Sequence, residues 1–259
     1  MGAIDTHTHI QFEQFDDDRQ DVLAACWAAG LDALIVVGTD IESSRRAVEL
    51  SASDDRLHPT AGVHPHDAST YDAESDAMLR NLAQSGDIVA IGEIGLDFYR
   101  NLSPREAQLS AFRRQLTLAA EYDLPVVVHT RESIDETAKI LANWASERPQ
   151  IHPVGVMHCF SGTLAEARRF VDLGFLISTP ATVTYPKNDE QRMVARELPL
   201  DSLVAETDSP YLPPQQLRGK RNDPTHVLDA IAVVAQVRGQ PQDEIVKATS
   251  DNARRLFRL

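Results

Sequence analysis

Ten side chains of this sequence stand where they could hold metal ions: Asp5, His7, His9, His64, His66, Glu93, His129, His158, Glu206 and Asp208. Imidazole suits zinc, iron or nickel, and carboxylate suits magnesium or manganese. A set that mixes the two points to divalent cations, with Mg, Mn or Zn as the candidates. Two ions about 3.5–4 Å apart can share a water, lower its pKa and clamp both the attacking and the leaving oxygen of a displacement. Asp208, ionised beside such an ion, is placed to accept the proton of that water. A lone histidine on a strand is an ordinary core residue. Four histidines and two carboxylates at successive strand ends are not, because buried imidazoles and carboxylates cost desolvation energy unless paired or bound to metal.

The elements that must position these groups are legible as an alternation. β-Branched or apolar runs occur at Gly2–His7, Ala33–Gly38, His58–Val63, Ile88–Gly92, Pro125–His129, Val154–His158, Gly174–Ser178 and Leu203–Glu206. Helical spacing fills the gaps, as at Leu109–Tyr122, Leu164–Leu173 and Val227–Arg238. Ser103-Pro104 reads as an N-cap followed by proline at the first helical position. Apolar strands alternating with helices imply a parallel sheet, and eight such units in 259 residues imply a closed (β/α)8 TIM barrel. An open doubly wound sheet is the alternative, but no GxGxxG loop follows the first strand. In a barrel, catalytic groups sit at the C-terminal strand ends, where the ten residues fall. Period-two alternation puts His7 and His9 on one side. The same argument turns Cys159 away from the site.

The composition sets outer bounds. The chain reads as one barrel domain over residues 1–259. No apolar run approaches the ~18 residues of a membrane span, and Met1–Ile10 lacks a signal-peptide pattern, so a cytoplasmic location is expected. Cys26 and Cys159 are the two cysteines and form no framework, so packing rather than a disulfide is expected. A net charge of −14 disfavours a broad electrostatic surface for duplex DNA. It leaves room for an enzyme that grips a strand end through metals and a few of its 21 arginines.

The motifs DTHTH (Asp5–His9), AGVHPHD (Ala61–Asp67), IGEIGLDF (Ile91–Phe98), VVVHTRES (Val126–Ser133), GVMHCFSG (Gly155–Gly162), AETDSPYL (Ala205–Leu212) and RGKRNDP (Arg218–Pro224) run in order along nearly the full chain. In this the sequence resembles the TatD metal-dependent hydrolases. The resemblance implies a (β/α)8 barrel, two divalent ions and hydrolysis of DNA, in some members from the 3′ end. It implies His7, His9 and Asp208 as ligands of the first ion, Glu93 as the bridging carboxylate, and His129 and His158 as ligands of the second. It gives His64 a substrate-side role facing the phosphate, with Asp208, Glu93 and His64 forming the catalytic set. His66 is either a second substrate-side histidine or an ordinary loop residue. The family commonly reads RNEP where this chain has Arg221-Asn222-Asp223-Pro224. Arg221 is therefore a candidate phosphate ligand, with an ion pair to Asp223 as the alternative. Arg131 and Arg100 could add positive charge at the rim, since a guanidinium fork binds two phosphate oxygens. Phe98 and Tyr99 could stack a base there or simply pack. His58, His152 and His226 read as structural, away from the active end.

The expected partner is DNA, single-stranded or at strand ends, acted on by a monomer. The same metal site could instead attack a carbonyl, as in a D-aminoacyl-tRNA deacylase, because fold and ligands support many chemistries. A non-enzymatic metal-binding scaffold is the third reading, and the complete ligand set argues against it.

Overall fold

The computed structural model describes residues 2–148 and 153–259; His152 lies outside them. Eight parallel strands follow one another in sequence order: β1 (Ala3–Thr8), β2 (Leu31–Val37), β3 (Leu57–Ala61), β4 (Ala90–Asp97), β5 (Val126–Arg131), β6 (Gly155–Met157), β7 (Phe175–Pro180) and β8 (Leu203–Glu206). The helices between and after them are α1 (Arg19–Ala28), α2 (Ile41–Ser51), α3 (Ala73–Ser85), α4 (Arg105–Glu121), α5 (Ile134–Ser146), α6 (Leu164–Asp172), α7 (Asp189–Glu197), α8 (Val227–Arg238) and α9 (Gln242–Phe257). This is the expected TIM barrel. Among the described residues no helix is long and apolar enough to cross a membrane.

Strand alternation sorts the core into two layers. Ile4, Ala33, Ile35, Val127, Val156 and Val204 belong to the barrel interior, plugged from below by Leu256 and Phe257 of α9. Their neighbours Ile91, Ile94, Val126, Val128 and Met157 face outward to Phe112, Leu116 and Phe170 of the helical ring.

Beside a register shift between Ala3 and Ile4, two irregularities break this alternation and aim a ligand. Asp5 pairs with Leu34 and Thr8 with Val36, so β1 carries one extra residue between those pairs. Leu34 and Val36 face the helices, so the extra residue turns His7 inward, where simple alternation from Ile4 would turn it out. In β4, Ile91 pairs with Val126 and Ile94 with Val128. The extra residue there turns Glu93 inward in the same way. Bulges of this kind re-aim side chains next to active sites.

The seam between β8 and β1 is closed by polar groups. Thr8 bridges Ser209 in parallel, the Asp208 amide donates to the His7 carbonyl at 2.9 Å, and the His9 amide donates to the Ser209 carbonyl at 2.7 Å. Asp5 lies beneath, fully buried. Its Oδ1 accepts from the Thr207 amide (2.9 Å) and the His7 amide (3.2 Å), and its Oδ2 contacts the Thr207 hydroxyl at 2.5 Å. Burial pushes the Asp5 carboxyl well above the usual carboxylate range, against the lowering effect of these bonds.

Two local expectations are corrected. Ser103 does not cap α4: its hydroxyl donates to the His66 carbonyl at 2.7 Å and accepts from the Ser69 amide at 3.1 Å, and Pro104 occupies the cap position. The fourth strand runs on to Asp97 instead of stopping at Gly92, so Glu93 lies within the strand and not beyond its end.

The seam yields a stability prediction. Asp5→Ala leaves the Thr207 and His7 amides without their acceptor and lowers stability by about 1–3 kcal/mol. Asp5→Asn keeps an acceptor and a neutral group, and loses less. Urea unfolding of the two variants measures the difference; equal stability of Asp5→Ala and the parent chain would contradict it.

Candidate metal centre

At the C-terminal ends of the strands the ligand atoms converge. Glu93 is 3% exposed. Its Oε2 lies 3.4 Å from His7 Nε2 and 4.0 Å from His9 Nε2, and its Oε1 lies 3.0 Å from His129 Nδ1, 3.5 Å from His64 Nε2 and 3.7 Å from His158 Nε2. Asp208 Oδ1 is 3.4 Å from His9 Nε2 and 3.8 Å from both His7 Nε2 and His158 Nε2. Three-residue sets with ligand atoms within 4.8 Å of one another include His7–His9–Asp208, His7–Glu93–His158 and His64–Glu93–His129.

Whether these groups suit metal depends on where the imidazole lone pairs point. His9 Nδ1 lies 2.8 Å from the Val37 carbonyl, an acceptor, so it carries the proton and leaves the Nε2 lone pair facing inward. His158 Nδ1 lies 3.0 Å from Glu206 Oε2, which fixes the same tautomer. His129 Nδ1 faces the centre, 3.0 Å from Glu93 Oε1, and its Nε2 is buried without a hydrogen-bond partner, 3.4 Å from Asp97 Oδ2. A carboxylate or carbonyl behind the ring, as at His9 and His158, is the arrangement that orients histidine ligands and raises their basicity. The Nδ1 atom of His7 is buried without a hydrogen-bond partner, while its Nε2 meets His9 Nε2 at 3.2 Å. The donor set fits divalent cations.

His64 differs. Its Nδ1 accepts the His66 amide proton at 3.1 Å, so in the neutral ring the proton sits on Nε2. That atom is then a hydrogen-bond donor, despite standing at ligand distance from Glu93 and His129. Burial, ahead of the neighbouring histidines, lowers the His64 pKa to about 4 against the pull of Glu93, so the ring is neutral at pH 7.

The other ionisations follow from the same packing. Burial alone would lower His158, but the Glu206, Glu93 and Asp208 carboxylates lift it to about 10. Burial likewise opposes and Asp97 and Glu93 outweigh it at His129, whose pKa is raised. Burial would raise Asp208, yet His9, His158 and His7 hold its carboxyl below the usual range. Glu93 is held well below its usual range by His158, His64 and His129, against its burial.

The remaining sequence candidates separate. His66 turns from the cluster and holds Asp97, Nε2 to Oδ2 at 2.9 Å. Arg131 lies at the rim with its Cζ 4.1 Å over the Tyr99 ring, and Tyr99 is 57% exposed. Phe98 is half-buried beneath Arg105. Arg100 is exposed, and its amide donates to Asp97 Oδ1 at 2.7 Å. Arg221 does form a structural ion pair, but with Asp18 (Nη2 to Oδ2 2.5 Å), not with Asp223. Asp223 instead caps the turn Pro224–His226 through the Thr225 amide at 3.0 Å, a local task that the shorter side chain performs. His226 belongs to the connection after β8, on the active side of the barrel, but is held by Asp229 and Asp223.

One participant, Asp97, escapes the sequence reading, and two others, Glu206 and Cys159, take a different part from the one it gives them. Asp97 shares the inward parity of Glu93 and Gly95, so counting by two from Glu93 finds it. Glu206 appeared as a possible ligand, whereas its Oε2 orients His158 and its Oε1 accepts the Cys159 amide at 2.6 Å. Cys159 was expected to turn away. It has φ 45°, and this left-handed residue beyond the end of β6 breaks the alternation, so its sulfur lies within 4.8 Å of the His158 and Asp208 ligand atoms. Both cysteines are free thiols.

The ionisations predict how metal enters. His158 and His129 hold protons near neutral pH that an ion must displace, so uptake releases protons and affinity rises with pH across the range below about 10. Calorimetric titration of the metal-free protein with Mn or Zn, in buffers of different ionisation enthalpy, should show net proton release at pH 7 and tighter binding at pH 8 than at pH 6. Uptake without proton release and independent of pH would contradict this assignment.

Comparison with known proteins places this geometry. The family model described as TatD related DNase matches residues 4–258. A Bacillus subtilis protein named metal-dependent hydrolase YabD is 35% identical over 98% of this chain and 98% of its own. A Rahnella protein named 3′-5′ ssDNA/RNA exonuclease TatD is 39% identical over 97% of this chain and 96% of its own. The crystal structure of YjjV, a TatD homolog from Escherichia coli K12, superposes with a TM-score of 0.93 at 36% identity, covering 99% of this chain and 98% of that one. The chain belongs to the TatD family of metal-dependent hydrolases.

Proposed function

We propose that this protein is a metal-dependent nuclease that hydrolyses phosphodiester bonds of single-stranded DNA from the 3′ end, with two divalent ions, Mg, Mn or Zn, at the Glu93 cluster. The observation that carries the reading is the cluster itself: five imidazoles around one buried carboxylate, with the lone pairs of His9 and His158 fixed inward by Val37 and Glu206. Relatives named as 3′-5′ ssDNA/RNA exonucleases at 38–40% identity support the substrate class.

His7, His9 and Asp208 would hold one ion, His129 and His158 the other, with Glu93 between them. When bound, the ions supply a nucleophilic water at neutral pH and Lewis-acid stabilisation of the phosphate oxygens. Asp208, ionised because His9, His158 and His7 face it, receives the proton of the nucleophile. His64, neutral and protonated at Nε2, donates a hydrogen bond to a non-bridging oxygen, where preorganised donors act most strongly. Arg131 faces the substrate with a guanidinium that, among the described residues, has no carboxylate partner. His66 acts through Asp97 on the orientation of His129. Arg221, committed to Asp18, steadies the connection after β8 against the one after β1. Residues 1–259 act as one catalytic barrel.

Incubation with end-labelled single-stranded DNA and Mg, Mn or Zn should give a ladder that shortens from the 3′ end. EDTA should abolish it, and Glu93→Ala should lower its rate by a factor on the order of 10²–10³ or more. A metal-loaded protein that leaves the strand intact but cleaves an aminoacyl ester would replace the nuclease reading with the deacylase one.

A further inference from the structure

The rim of the barrel mouth is divided by charge. The connections after β1, β2 and β3 (residues 9–18, 38–40 and 62–72) contain no lysine or arginine. They carry Glu13, Asp16, Asp17, Asp18, Asp40, Asp67 and Asp72. Burial, ahead of the neighbouring Asp40, raises the Asp67 carboxyl. Four arginines reach this side, and each is engaged by a carboxylate: Arg19 and Arg46 by Asp16, Arg221 by Asp18, and Arg114, which lies over Tyr71, by Asp76.

The other half of the rim mixes the signs: Glu132 and Asp223 stand there, together with Arg100, Lys187 and Lys220. Arg131 ends β5, and Arg218 lies in the connection after β8. Among the described residues neither guanidinium has an ion pair or a hydrogen bond; each lies over a tyrosine ring. Arg131 Cζ is 4.1 Å from the centre of Tyr99, and Arg218 Cζ is 5.0 Å from the centre of Tyr185 in the connection after β7. Both pairs stand on the mouth that holds the cluster: Arg131 is two residues beyond His129 at the end of β5, and the Tyr185 hydroxyl donates to the Pro213 carbonyl at 2.7 Å in the connection that carries Asp208. In a chain of net charge −14, a guanidinium left without a carboxylate beside the centre is an unfilled anion site, and the ring beneath it offers a stacking face.

We infer that a bound single strand leaves the metal cluster across the β4-to-β8 half of the mouth, contacting Arg131 with Tyr99 and Arg218 with Tyr185, and is kept off the β1-to-β3 half by its carboxylates. A polynucleotide supplies what the two pairs ask for, an anionic oxygen and an aromatic face at each step. The inference rests on the nuclease reading and adds to it the course of the strand and the role of Arg218 and Tyr185.

Fluorescence anisotropy of a labelled, cleavage-resistant phosphorothioate strand on the metal-loaded protein tests the path. Arg131→Ala and Arg218→Ala should each weaken binding roughly five- to tenfold at low salt and reduce the slope of log affinity against log salt by about 0.7. Arg168→Ala on α6, an equal charge change on the outer helical ring, should alter neither, and Asp17→Asn should leave binding unchanged or tighten it. Equal binding by Arg218→Ala and Arg168→Ala, with wild-type cleavage of end-labelled DNA intact, overturns the path and leaves the nuclease reading standing. Absence of wild-type cleavage under every metal overturns the reading and the path together.

Discussion

A carboxylate that is 3% exposed, with five imidazoles within 4.0 Å of its two oxygens, is the condition on which the rest of this molecule depends. Glu93 has left water and must be compensated by positive charge, from protonated histidine or from metal. The compensation reaches past the first ring of contacts. Glu206 supports His158, and the Val37 carbonyl supports His9. Each fixes which nitrogen carries the proton, so the inward lone pairs are set by groups that themselves never meet the substrate.

The barrel answers this demand with small departures from regularity. A strand alternates its side chains strictly, and a regular β1 or β4 would have turned His7 or Glu93 toward the helices. One extra residue in each strand reverses that. At the seam, Asp208 is brought against His7 and His9 by amide bonds between the β8 connection and β1, and Asp5 with Thr207 locks that junction from behind. Polar residues stand here in place of apolar packing because the seam must hold a register, and hydrogen bonds specify a register where hydrophobic contacts do not.

Much of this was legible in the sequence. The (β/α)8 alternation and the recurrence of histidine and carboxylate at strand ends are patterns of residue type, and residue type is what a sequence displays. The less legible features all depended on backbone detail. His7 was assigned inward by pairing it with His9, which is right, but alternation from Ile4 gives the opposite answer, and only the bulge reconciles them. Cys159 was misplaced because alternation was carried one residue past the end of β6 into a left-handed conformation. Asp97 was overlooked because the strand was ended at Gly92. Arg221 found Asp18, far away in sequence, ahead of Asp223 two residues on, since ion pairing at the rim is decided by which connections lie side by side. Ser103 joined the connection after β3 instead of capping α4 for the same reason.

The central claim is that Glu93 stands between two ions, one held by His7, His9 and Asp208 and one by His129 and His158. Crystals grown with Mn or Zn, with anomalous diffraction recorded above the metal absorption edge, test it directly. Two anomalous peaks should flank the Glu93 carboxylate, about 3.5–4 Å apart, with His64 Nε2 in contact with neither. A single ion, or an ion coordinated by His64, would contradict it.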